Sequence, residues 1–308
     1  IAKRVGVDNT ENFINLEGMS ESQIISAANK YTVFGRVTPE QKAILVKAMK
    51  AQGNTVAMTG DGVNDILALK EADCAIAMAS GSDAVRSVSH MVLLDSKFSS
   101  MPQAVFEGRR VINNVQKSSA LFFMKTLFTI LFSIIILALG QAYPFAPLQL
   151  YMLEFFVIGI PSFFLALQPN KNRIKGKFIY NLFKNALPGA LTLLLNVMAC
   201  YGFVQLTQGS LDDTVLISSM ATIVLTFTGI AMLLKLCQPI TVLTGILFSS
   251  MLAVTLGLTL FAPDFFEIAS VGLTNTLFLI ILILISGYVI KIFDTIMSKL
   301  SFNRKKKT

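Results

Sequence analysis

Apolar residues are distributed unevenly along this chain. Up to about residue 116, short apolar runs alternate with polar and charged segments, whereas from Ser118 to Phe293 the sequence is almost continuously apolar. Crossing a bilayer takes about 20 helical residues at about 1.5 Å of rise each. Six stretches qualify, at roughly 119–139, 148–167, 183–206, 215–236, 240–262 and 271–293. The first part has a different rhythm. It predicts a strand at 32–36, a helix at 40–51, an apolar strand at 55–59, a short helix at 64–70, and further short strands at 74–78 and 91–94. Such alternation predicts a parallel sheet covered by helices, with its chemistry at the carboxyl ends of the strands.

Composition reinforces the division. Of 308 residues, 54% are hydrophobic and only 14% charged, and the mean hydropathy is +0.65, which is the profile of a membrane protein. The net charge of +8 does not indicate nucleic acid, because no helix joins a basic face to stacking aromatics. The basic residues instead mark one set of loops. Lys171, Arg173, Lys175 and Lys177 follow the second stretch, Lys235 ends the fourth, and Arg304 to Lys307 follow the sixth. Loops 140–147, 207–214 and 262–270 contain no Lys or Arg. The positive-inside rule then predicts a cytoplasmic amino-terminal region and a cytoplasmic tail. An integral protein of the plasma membrane is the expectation, with the basic tail attracted weakly to anionic lipid. Cys74, Cys200 and Cys237 are odd in number and far apart, so they read as packing residues rather than a disulfide framework. His90, the only histidine, reads as a surface or packing residue.

The most informative run is Thr59-Gly60-Asp61-Gly62-Val63-Asn64-Asp65, placed where a strand gives way to a helix. Glycines at 60 and 62 would let the backbone turn and present the carboxylate between them to a phosphoryl group. Asp61 can then ligate Mg²⁺, a hard cation that prefers oxygen. Together with Lys42 in Val37-Thr38-Pro39-Glu40-Gln41-Lys42, Ala68-Leu69-Lys70 and Ala72-Asp73-Cys74-Ala75-Ile76-Ala77-Met78, this run resembles the P-type ATPase family of the haloacid dehalogenase superfamily. The resemblance implies a Rossmann-like α/β partial phosphorylation domain followed by an all-α bundle of six transmembrane helices. The expected divisions are a phosphorylation-domain half at 1–107, a stalk at 108–118, the helices at 119–297 and a basic tail at 298–308. It implies catalytic roles for Lys42, Asp61, Asn64 and Asp65, a phosphate cradle at Thr59, Gly60, Asp61 and Gly62, and Mg²⁺ held by Asp61 and Asp65. Lys42 would be the phosphate-neutralising point charge.

The family's phosphorylated aspartate lies in an Asp-Lys-Thr-Gly-Thr run that these residues do not include. The resemblance therefore assigns that aspartate, the ATP-binding domain and four further helices to a missing amino-terminal part of the same polypeptide. The piece alone is expected not to hydrolyse ATP. Within the apolar stretches, an acid or base at mid-helix costs roughly 2.5–3.5 kcal/mol on insertion scales, so each calls for a reason. Two stand out: Lys125, and Glu154 seven residues before the helix breaker Pro161. Glu154 falls where calcium pumps of the family carry an ion-binding asparagine, while Val157 and Ile158 are apolar where those pumps have oxygen ligands. Thr126 and Thr129 complete the candidate transport site with Lys125 and Glu154. Asn196 is expected either to join a polar cluster or to hydrogen-bond between helices. The functional expectation is an ATP-driven cation transporter, Ca²⁺ first. The alternatives are a polyamine or lipid cargo, or a non-catalytic scaffold that keeps the fold.

Overall fold

The computed structural model describes residues 2–209, 211 and 213–305; part of the basic tail, 306–308, lies outside the described residues. The chain divides into two compact units, Ile1–Val105 and Phe106–Thr308.

The first unit is built on parallel strands. Strands β1 (Phe13–Asn15) and β2 (Val33–Gly35) pair with Phe13 opposite Val33, and β3 (Ala57–Gly60), β4 (Cys74–Met78) and β5 (Met91–Leu93) form a second sheet in the order β3-β4-β5. Helix α1 (Glu21–Ala27) and helix α2 (Pro39–Ala51) bury Ile24, Ala27, Leu45 and Ala48 against Leu16, with Phe34 packed at the edge. The start of α2 is written in its sequence: Pro39 is its first residue, the Thr38 hydroxyl accepts from the Gln41 amide, and the Gln41 side chain accepts from the Thr38 amide. Helices α3 (Ile66–Glu71) and α4 (Asp83–Val88) cover the second sheet, burying Leu69 and Val85 on Ala75 and Ala77.

Two features differ from the sequence expectation. The strand around residue 33 pairs with β1, a three-residue strand flanked by polar residues that shows no alternation long enough to read. The strand expected at 55–59 begins at Ala57, because the chain just before it is tied by a side chain: the Val56 amide donates to the Asp73 carboxylate at 2.9 Å. His90 does more than pack. Its Nδ1 accepts from the Ala75 amide at 2.9 Å and its own amide donates to the Ala75 carbonyl, fastening the approach to β5 onto β4.

The second unit is helical, and six of its helical spans are long and apolar enough to cross a membrane. Helix α5 (Met101–Ala138) runs without interruption through both the expected stalk and the first span. The second span is not one regular helix. It comprises α6 (Pro147–Leu153), a π-helical turn over Glu154–Gly159, and α7 (Ile160–Leu167). Helices α8 (Phe178–Gln208), α9 (Thr214–Leu236), α10 (Val242–Phe261) and α11 (Gly272–Lys305) follow. Helix α9 is the hub: 78% of its apolar segment is buried, against 22% for α10 and 17% for α11.

Polar side chains join these helices. Asn196 of α8 donates to Thr228 of α9 at 2.8 Å and to Ser286 of α11 at 2.7 Å, all three buried, which is the expected hydrogen bonding between helices. Lys235 and Asp294 pair at 2.7 Å between α9 and α11. At the end of α7, Asn114 of α5 donates to the carbonyls of Ala166 and Gln168 at 3.0 and 2.6 Å, satisfying carbonyls that the helix itself leaves open.

The Asp73 tie has a pH signature. The Val56 amide, and then Lys50 at 3.1 Å, hold the Asp73 carboxyl below its ordinary value of 3.8. A depressed carboxyl contributes stability that is present above the unfolded value and lost as pH falls through the folded one. Amide exchange at Val56, corrected for the intrinsic acid dependence, is therefore expected to accelerate below about pH 4. Asp73→Asn should flatten that step; a step unchanged by the substitution would remove Asp73 as its cause.

Candidate functional site

The Thr59–Asp65 motif of the first unit lies where β3 ends. Gly60 closes the strand, Asp61 follows it, Gly62 caps a 3₁₀ turn over Val63–Asp65, and α3 begins at Ile66. Asp61 and Asn64 are exposed, whereas Asp65 is buried at 8% exposure. Lys42 reaches across from α2 and its ammonium meets Asp65 Oδ1 at 2.6 Å. The two acids of the motif thus have different surroundings: Asp65 is neutralised by Lys42, and Asp61 offers its carboxylate to solvent.

The glycines act by close approach rather than by a left-handed turn. Neither Gly60 nor Gly62 has a positive φ. A Cβ at Gly60 would fall 2.6 Å from Asp65 Cβ, so only a glycine leaves room for the buried acid. The sequence argument did not find the other side of this site. A Cβ at Gly81 would fall 2.7 Å from the Asp61 carbonyl oxygen, and the Ser82 amide donates to that same carbonyl at 3.1 Å. Arg86 of α4 holds this loop, donating to the Ala79 and Gly81 carbonyls at 2.6 and 2.9 Å and pairing with Asp83. The signal that could have found it is the run Ala79-Ser80-Gly81-Ser82 at the carboxyl end of the strand next to β3.

An exposed carboxylate, with the amide of Asn64 nearby in the chain, suits an ion that keeps most of its water, as Mg²⁺ does. Among the described residues no cluster of three or more acidic, His or Cys side chains forms an all-protein metal cage. The donor set therefore fits a water-rich Mg²⁺ completed by a phosphoryl group.

In the second unit, Lys125 of α5 and Glu154, the first residue of the π turn, form an ion pair, each partly buried. Val157 and Ile158 on the same turn are buried among apolar neighbours, and Gly229 of α9 approaches Leu153 and Val157 so closely that a Cβ there would fall 2.7 Å from Leu153. Pro161 has no amide hydrogen, so one carbonyl of the turn before it lacks its helical donor. The breaker therefore widens the helix instead of ending it. Thr129, one turn along from Lys125, is half-buried, whereas Thr126 is exposed and its hydroxyl donates to the Phe122 carbonyl of its own helix. Thr126 is not brought to Glu154.

Fold and site together describe a hydrolase-type α/β unit joined to an integral membrane bundle. Residues 9–73 match the family of haloacid dehalogenase-like hydrolases. Among characterised proteins, the chain is 36% identical over 250 residues to a probable cation-transporting ATPase of Streptococcus pneumoniae, covering 78% of this chain and 32% of the relative. It is 45% identical over 172 residues to a calcium-transporting ATPase of Mycolicibacterium smegmatis, covering 53% of this chain and 22% of the relative. With the calcium-transporting ATPase of Mycobacterium bovis it shares 35% identity over 250 residues, covering 78% and 31%. The chain is a relative of the P-type cation-transporting ATPases, and it spans about a third or less of the length of the relatives it matches.

Gly81→Ala is expected to force the Asp61 loop apart. Overpacking of this kind costs about 1–3 kcal/mol, and exchange at the Ser82 amide should rise at least tenfold. Unchanged exchange at Ser82 would show that the loop has room for a methyl group and does not brace Asp61.

Proposed function

We propose that this chain is the carboxyl-terminal part of an ATP-driven cation pump that works through an aspartyl phosphate formed on the amino-terminal part of the same polypeptide. The observation that carries the reading is the Lys125–Glu154 pair: a partly buried acid on a π turn, inside helices otherwise apolar, beside a proline that frees a carbonyl. A carboxylate in such surroundings needs a positive partner, and a transported cation can take that place only by displacing Lys125.

At the phosphate site, Asp61 and Asn64 would hold Mg²⁺ together with the phosphoryl oxygens, and Asp65 would contribute through Lys42. When bound, the ion offsets negative charge on the transferring group. Asp61 presents its oxygens at the end of a braced strand, and Lys42 is held in place by Asp65 as a fixed positive charge facing the same edge. ATP would be bound by the amino-terminal part. The stalk segment belongs to α5, whose Asn114 grips the end of α7, so movement of α5 is passed directly to the helix that carries the π turn.

Calcium is the first cargo in this reading, supported by the names of the relatives from Mycolicibacterium smegmatis and Mycobacterium bovis. A polyamine or lipid cargo is the second, favoured by the burial of Val157 and Ile158, which place carbon where side-chain oxygens would serve a metal ion. In this reading the protein lies in the plasma membrane, and the basic loops support the first unit and the tail being on the cytoplasmic side.

In the full-length protein, Asp61→Ala should abolish Mg²⁺-dependent ATP turnover while membrane insertion is retained; normal turnover in that variant would remove the site assignment. Glu154→Gln should weaken the apparent affinity for the stimulating cation by about tenfold or more, equivalent to about 1.4 kcal/mol. Phosphorylation from inorganic phosphate should persist, because that step needs only the first unit. If affinity is unchanged in Glu154→Gln while Lys125→Met fails to accumulate, Glu154 serves only to neutralise Lys125.

A further inference from the structure

At the end of the bundle whose loops contain no Lys or Arg lies a cavity of about 380 Å³. The α5–α6 loop, the first turns of α6 and α9, the outer part of α8 and the turn after Phe266 enclose it. Its size falls in the range of small-molecule sites, and no basic residue lines it.

Its polar lining is organised. Gln149, only 3% exposed, is pinned by two donated hydrogen bonds, to the Ser218 hydroxyl at 3.2 Å and to the Glu267 carbonyl at 2.9 Å. Its side-chain oxygen accepts from the Ala146 amide. Tyr201 is 6% exposed, its ring tilted against Phe132, and its hydroxyl has no hydrogen-bond partner among the described residues although it borders the cavity. Glu267 holds a left-handed backbone, φ 53°, which a residue with a Cβ adopts only under local constraint. Glu267 is the acid among the lining residues, and no lining residue is basic.

We infer that this cavity binds a small alkylammonium ion. The negative charge of Glu267, with no basic lining residue to offset it, draws cations toward the cavity. The lining offers one carboxylate, a tyrosine hydroxyl with no hydrogen-bond partner among the described residues, and aromatic rings, which together suit an organic cation. Tyr143 and Tyr201 line the cavity, and an alkylammonium over a tyrosine ring is attracted by its quadrupole. Neither Lys125 nor Glu154 lines the cavity, and the inference does not depend on the cation-pump reading.

The ammonium group could arrive on a free amine or on a lipid headgroup. The test is calorimetric titration of the purified protein with n-butylammonium, first in uncharged maltoside micelles and then in phosphatidylethanolamine nanodiscs. Saturable one-site binding in micelles is expected, weakened about tenfold by Glu267→Gln and severalfold by Tyr201→Phe. The latter keeps the ring on Phe132 and so preserves the packing. Equal affinity in nanodiscs identifies a free amine as the natural ligand class, and weaker affinity there identifies the competing headgroup; both support the site. Absence of saturable binding in micelles, or binding that neither substitution changes, would overturn it.

Discussion

No water is available in the hydrocarbon core to satisfy a polar side chain, so polar groups on these apolar helices have to satisfy one another. The way the second unit packs depends on that constraint. Asn196 meets Thr228 and Ser286, Lys235 meets Asp294, and Lys125 meets Glu154, and each contact joins different helices or spans. Apolar side chains are matched as well by lipid as by another helix and so fix the arrangement weakly. The few polar contacts choose which faces meet, and α9, which contributes to two of these three links, is accordingly the most buried span.

The first unit answers a different demand, that of keeping a carboxylate available. Two acids four residues apart in one motif would repel each other and blur their roles. Burying Asp65 beside Lys42 leaves Asp61 as the motif's uncompensated negative charge, facing solvent. Around Asp61, the glycine at 81 and the grip of Arg86 remove the slack from the neighbouring loop. Preorganised groups of this kind do not have to reorient when charge develops on a phosphoryl group. The same logic appears at Glu154, where a π turn places a carboxylate and a donor-poor backbone together within an apolar helix.

Much of this was legible in the amino-acid order because its signals are local. The long apolar runs specify membrane-capable helices, since every backbone group in such a run must bond within its own helix. Thr38-Pro39 and Gln41 announce the start of α2, and the Gly-Asp-Gly run marks the end of β3 and the turn into α3. What the order of residues did not reveal was that Lys42 and Asp65, 23 positions apart, and Asn196 and Ser286, 90 apart, would meet; the pairing of Lys125 with Glu154 was one of the partners that the sequence offered for that acid. Nor could it reveal that Gly60 is required by the bulk of Asp65, that Thr126 turns back on its own helix, or that Pro161 widens a helix instead of stopping it. Propensity and periodicity report on neighbours along the chain. The partner of a buried charge is decided by which faces the packed elements bring within hydrogen-bond reach, and that exists only once the tertiary structure has formed.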